Sequence, residues 1–319
     1  MNLISTLNSF GNTKKPFFFC ISYDLKAWDV IPLDKLPKTI RYSINESKNT
    51  HQNHKIFISK KHLTFQTYKK KFNKVISQIQ EGNTYLLNLT TKTNIKSKNS
   101  LLEIYEHSSA KYKIYYKNKF VSFSPETFIK ISNNKIYTFP MKGTINSKVE
   151  DAHEKILNDQ KELAEHTMIV DLLRNDLNIV SKNVKVDEFR YIETIKAGEN
   201  KLLQVSSKIS GELANNWHET IGDILVNLLP AGSITGTPKR KTVEIIHEIE
   251  KYDRGFFTGI WGIYDGTSLD TAVLIRFIER KKNNTNNKNQ YIYKSGGGIT
   301  LDSDINNEYN EMIEKVYIP

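Results

Sequence analysis

The order in which strand-like and helix-like stretches follow one another constrains this chain most. Between Lys111 and Thr144 the sequence KYKIYYKNKFVSFSPETFIKISNNKIYTFPMKGT reads as several β-strands in succession, with turns at Lys117-Asn118 and Asn133-Asn134. FFTGIWGIYDG (256–266) and LDTAVLIRFIERK (269–281) predict a hairpin turned at Asp265-Gly266, and YIYKSGGGIT (291–300) adds a strand. PFFFCISYD (16–24), HKIFISK (54–60), TYLLNLTTKT (84–93) and a pair near 184–210 also read as strands. Helical spacing is rarer. Tyr68, Phe72, Val75, Ile76 and Ile79 mark one face of a helix over 67–80, and a long helix is predicted from about Asp151 to Leu177. Others are expected near 216–228, from Pro238 with Thr237 as its N-cap, and from about Ser303 to Val316. A parallel sheet needs strands and helices to alternate strictly. These do not, so the pattern implies an α+β fold with large antiparallel sheets.

Composition narrows the function classes. The 319 residues carry 46 basic and 35 acidic side chains, 46 − 35 = +11. The lysines are scattered or lie in Asn-rich stretches such as 92–99 and 280–289, which read as solvated loops rather than a nucleic-acid footprint. A positive surface does steer small anions. The longest apolar run, Phe17–Ile21, is five residues, far short of a membrane span, and MNLISTLNSFGN has no secretory pattern. One cysteine, Cys20, cannot form an internal disulfide. A cytoplasmic protein that binds neither nucleic acid nor membrane is the expectation.

The sharpest chemical feature is a repeated carboxylate pair. Glu162 and Glu165 share one face of the long helix, and Glu308 and Glu311 share a face of the last helix, with Lys315 one turn on. Two such pairs facing each other would supply hard oxygen ligands for Mg²⁺. The segment 164–177 is too apolar for a surface helix, and Gly296-Gly297-Gly298 just ahead of the second pair lets backbone approach a ligand closely. PAGSITGT (230–237) leads into a helix N-terminus that could cradle an anion. Arg276, read as lying inside an apolar strand, needs an acidic partner or an anionic ligand. Lys142 in PMKGT could serve as a nucleophile if its proton were lost, and Glu126 in SPE as a general acid if it kept one. Spacing alone does not license that pair. His166, beside Glu165, is a candidate to line the site, and Asp171, Arg174, Asn175 and Asp176 are a candidate buried network orienting the helix.

Taken in order, SPE (124–126), PMKGT (140–144), EHTMIVDLLRNDL (165–177), PAGSITGTPK (230–239), FFTGIWGIYDG, AVLIRF (272–277) and SGGGITLDSDINNEYNEMIEK (295–315) resemble the motif series of the chorismate-utilising enzymes. That family includes anthranilate synthase component I, aminodeoxychorismate synthase component I, isochorismate synthases and salicylate synthases. The resemblance spans roughly 65–317. It implies two large antiparallel sheets packed as a sandwich with helices outside. It also implies a Mg²⁺ ion with Glu165 and Glu311 as direct ligands and Glu162 and Glu308 acting through water. Arg276, Lys315, the Gly296–Gly298 backbone, Gly143 and Thr144 would bind chorismate. Residues 1–64 would then be short strands packed on a chorismate-binding catalytic domain, 65–319, without the full tryptophan-binding region of long members. Insensitivity to tryptophan is the corresponding expectation.

Within the family, Lys142 resembles the aminodeoxychorismate synthases, where the anthranilate, isochorismate and salicylate enzymes resemble one another in having alanine. SITG and Leu229, a position usually histidine in anthranilate synthases, point the same way. The implied reaction replaces the 4-hydroxyl of chorismate by ammonia through a covalent adduct of Lys142 at C2, with Glu126 as acid, on the route to 4-aminobenzoate and folate. Cys20 lacks the setting of a glutaminase nucleophile, so a separate glutamine amidotransferase subunit is expected to supply the ammonia. Anthranilate synthase component I is the alternative. Phe257, at a position often Tyr in relatives, departs from the pattern.

Overall fold

A computed structural model describes residues 2–45, 56–197, 200–281 and 290–319. Their strands form a nine-stranded and an eight-stranded sheet in which every paired neighbour is antiparallel. The continuous apolar run explains how the layers meet. Strand Phe17–Ile21 lies inside the first sheet, between Trp28–Pro32 and Ile260–Tyr264, with all five residues fully buried. Phe17, Phe19 and Ile21 pack into a core shared with helices Leu3–Asn12, Gln160–Val180 and Ile221–Leu228, whereas Phe18 and Cys20 face the other sheet. Between the sheets, Phe18, Trp261 and Ala272 of the first meet Tyr112, Tyr116, Phe120 and Phe277 of the second. The second sheet is covered outside by helices Phe65–Gln80, Lys239–Glu250 and Ile305–Glu314, through Phe72, Val75, Ile245 and Met312. The expected sandwich with helices outside is thus present.

Several local expectations are corrected. The long helix is two, Ala152–Asn158 and Gln160–Val180, because Asp159 leaves helical geometry and caps the second by accepting from the Glu162 backbone N–H at 2.9 Å. Thr237 is not a helix cap. It pairs with Leu86 in the second sheet, and helix Lys239–Glu250 starts after Pro238 with no side-chain cap. The hairpin at Asp265-Gly266 is real, but its second stretch divides. Leu269–Val273 stays in the first sheet, and Phe277–Arg280 joins the second. Arg276 is therefore not inside a strand; it sits at the crossover between sheets with φ of +50°. The first 64 residues feed both sheets, Ile40–Ile44 pairing in the second, and begin with a helix that their mixed composition concealed. Of 54–60, residues 56–60 are described and strand begins only at Ile58, as Ile58–Lys61; His51, His54 and most of the loop 280–289 lie outside the described residues.

Candidate active site

A cavity of about 710 Å³ opens where the sheet crossover, the Gln160–Val180 helix and the glycine-rich strand Gln290–Ile299 converge. It gathers Glu126, Lys142, Gly143, Thr144, Glu162, Glu165, Arg276, Gly296, Gly297, Gly298, Glu311 and Lys315, residues spread over nearly two hundred positions.

Lys142 stands on strand Met141–Asn146, next to an irregularity where the pairing with strand Asn200–Glu212 shifts register. Gly143 makes that bend with φ of +84°, and a Cβ there would lie 3.1 Å from Glu162 Oε2. The glycine thus lets the glutamate helix close on the lysine. Lys142 Nζ meets Glu165 Oε2 at 2.5 Å, and Lys161 lies 3.7 Å from the other oxygen. Burial alone would drive the Lys142 ammonium toward neutrality. The charge and hydrogen bond of Glu165, with Glu162 and Glu311 beyond, outweigh it and raise the pKa. In this arrangement Lys142 is a cation.

Across the cavity Glu311 pairs with Lys315 at 2.5 Å, and Lys315 also donates to the Gly296 carbonyl at 2.9 Å. A Cβ on Gly297 would stand 3.5–3.7 Å from Lys315 Nζ, Glu308 Oε2 and Glu311 Oε1, so the glycine leaves these groups open to a ligand. Glu308 is behind this line and accepts from Ser303 Oγ at 2.9 Å. Glu162 and Glu165 thus reach the cavity from one helix and Glu311 from another, with Glu308 behind it. Burial and mutual repulsion push the carboxyls of Glu162 and Glu308 up, whereas Glu311, despite burial, is held down by Lys315. Glu162 Oε2 is buried with no hydrogen-bond partner. An unpartnered carboxylate oxygen among repelling carboxylates is a donor set suited in kind to a hard cation. As arranged, no three His, Cys, Asp or Glu side chains among the described residues enclose an ion, and the Lys142 ammonium sits on the most buried of these carboxylates.

Glu126 follows Pro125 in the turn before strand Thr127–Ser132 and accepts from Ser233 Oγ. It is half-buried, and the desolvation there raises its pKa, against the opposing pull of Ser233, Lys315 and Lys111. Ser233 is what PAGSITGT brings to the site. The segment makes a tight turn at Gly232–Ile234, and the following helix N-terminus is not part of the lining, so the expected anion cradle is replaced by one hydroxyl donor. Arg276 has its guanidinium 4.6 Å above the Tyr317 ring, a partner the motif pattern gave no hint of.

Two expectations fail. His166 turns away from the cavity, its Nε2 2.7 Å from Ser207 Oγ and its ring edge against Phe189. Asp171 and Arg174 form an exposed ion pair, and of that group only Asp176 is buried, held by Lys239 at 2.8 Å.

Two facing antiparallel sheets, with a lysine and glutamates from two flanking helices lining one cavity at their junction, define the class. A family model described as chorismate binding enzyme matches residues 21–319, and the chain belongs to that family. It is 44% identical to an uncharacterised PabA-like protein of Pasteurella multocida, over 99% of this chain and 98% of that one. It is 32% identical to aminodeoxychorismate synthase component 1 of Escherichia coli, over 80% of this chain and 57% of that one. The crystal structure of anthranilate synthase component I from Streptococcus pneumoniae superposes with a TM-score of 0.69 at 25% identity, covering 82% of this chain and 59% of that one.

Proposed function

We propose that this chorismate-utilising enzyme is an aminodeoxychorismate synthase component I, forming 4-amino-4-deoxychorismate from chorismate and ammonia. The observation that carries the reading is Lys142 inside the cavity, opposite the cationic Lys315 and in one lining with the protonatable Glu126. Arg276, Lys315 and the glycine backbone hold the two carboxylates of the substrate. Lys142 bonds to C2 as the ring double bonds shift, and the C4–oxygen bond breaks with Glu126 giving its proton to the leaving hydroxyl, so water departs. Ammonia then bonds to C4, the C2–nitrogen bond returns its electron pair to Lys142, and the surplus proton passes to Glu126. Before attack Lys142 must lose to solvent in the cavity the proton that Glu165 stabilises. Whatever draws Glu165 away therefore activates the lysine.

Mg²⁺ is part of the proposal. Glu165 and Glu311 would bind it directly and Glu162 and Glu308 through water, and the ion would neutralise substrate carboxylate charge. Ammonia would come from a separate amidotransferase subunit, since Cys20 is fully buried in the first sheet with its thiol pushed far up, first by burial. The Lys142–Glu165 ion pair favours one second reading, in which the lysine is only a charge and the product is anthranilate. Incubating the chain with chorismate, Mg²⁺ and ammonium, beside Lys142→Ala, decides between them. Aminodeoxychorismate and a chorismate-derived mass on Lys142, both lost in the variant, support the first reading. Anthranilate without an adduct overturns it.

A further inference from the structure

We propose that Gln204 positions the incoming ammonia. The inference rests on the amination reading above and deepens it, because that reaction needs a second, nitrogen nucleophile in the cavity. Gln204 lies on strand Asn200–Glu212 and faces the cavity beside Leu202. In register it stands opposite Thr144, two residues beyond Lys142, and on its other side opposite Glu193. Its Oε1 is buried and accepts no hydrogen bond. A side-chain amide oxygen left in this state loses the bond it would make in water, so a donor from a ligand is worth more to it than to a satisfied group.

The charged groups of the cavity are suited to different work. Lys142, Lys315 and Arg276 are cations that repel an N–H donor. The carboxylates of Glu126, Glu165 and Glu311 already accept from Ser233, Lys142 and Lys315. Glu162 has a free oxygen, but its negative charge stabilises ammonium, whose nitrogen has no lone pair to give C4. A neutral acceptor holds ammonia without fixing a proton on it.

The test measures two steps separately in Gln204→Leu, Gln204→Asn and Gln204→Glu, with unfolding checked for each. Formation of the Lys142 adduct from chorismate without ammonium, and the KM for chorismate, should match wild type in Gln204→Leu. The KM for ammonium chloride should rise about five- to tenfold, the worth of one neutral hydrogen bond. Gln204→Asn should recover part of this. Gln204→Glu should shift the optimum to higher pH, because its carboxylate holds ammonium rather than ammonia. A raised chorismate KM with unchanged ammonium KM would show that the amide holds the organic substrate and overturn the proposal. So would unchanged values for both. A wild type that yields neither adduct nor aminated product sinks the amination reading, and this inference with it.

Discussion

Replacing Glu250 by alanine probes the joint that sets the floor of the cavity. Glu250 and Arg254 form an i,i+4 ion pair only 1–2% exposed, with N–O distances of 2.7 and 2.9 Å. The same carboxylate accepts from the Thr90 backbone N–H and hydroxyl, both at 2.7 Å, and Arg254 donates to the carbonyls of Ile234 (2.9 Å) and Asn88 (2.8 Å). One pair thus ties helix Lys239–Glu250 to the glycine-strand partner Leu86–Ser97 and to the turn carrying Ser233. In Glu250→Ala the guanidinium keeps two carbonyls but loses its counter-charge, and the Thr90 N–H is orphaned. Breaking one side of a buried pair costs about 3–5 kcal/mol, and the orphaned amide falls within that range rather than adding to it. The usual rescue by an apolar pair should be incomplete here. Glu250→Leu with Arg254→Met still strands the Thr90 N–H and the carbonyls of Ile234 and Asn88. Urea unfolding, read as a shift in midpoint at constant slope, measures both variants. A loss below about 1 kcal/mol in Glu250→Ala would refute the reasoning, since a buried unpaired charge would then carry no penalty, and so would a double variant as stable as wild type, since the stranded backbone groups would then carry none.

Ser233→Ala removes the donor that pulls the Glu126 pKa down, so the high-pH limb of chorismate turnover should move further up; a limb that moves down or stays would exclude Glu126 as the acid. His166 is buried, with its pKa lowered from 6.5 to about 4 by burial first and then by Arg190 and Lys142. Its neutral form therefore stabilises the fold above pH 6.5, and that contribution, on the order of 3 kcal/mol, is lost as pH falls toward 4. His166→Gln should flatten the acid side of the stability curve, measured by urea midpoints at several pH values. Two of the three adjacent glycines should separate by mechanism. Gly296→Ala sets a Cβ 2.2 Å from the Leu89 carbonyl oxygen and should unfold more easily, whereas Gly297→Ala meets nothing closer than 3.5 Å and should fold normally but bind chorismate poorly. Thermal melts and substrate KM read the two effects independently.

What the sequence made legible follows from the range over which each signal acts. Glu162/Glu165 and Glu308/Glu311 were readable because helical spacing fixes a shared face within one turn, and the Gly296–Gly298 run because three glycines have few other uses in a strand. The antiparallel class was readable from strands arriving in runs. The break at Asp159 was less so, since a good N-cap inside a continuous helical pattern looks like any exposed aspartate until the Glu162 N–H points at it. Arg276 was misplaced for a deeper reason. AVLIRFIE is apolar on both sides of Arg276 because both sheets bury their strands, so hydrophobicity cannot show where the chain leaves one and enters the other; only the +50° φ does. Ser233, Gln204 and Tyr317 were invisible individually. Their roles come from what stands opposite: Glu126 across 107 positions, Thr144 across a strand pairing, Arg276 over a ring. His166 was misjudged by the converse error, adjacency in sequence to Glu165. On a helix the next residue points about 100° away, and here that direction leads to Ser207 and the interior. Residues that read each other along a helix are therefore open to inference from sequence. Those that read each other across sheets become so only when register is known, and that is where this site keeps both its proposed proton donor and its proposed ammonia acceptor.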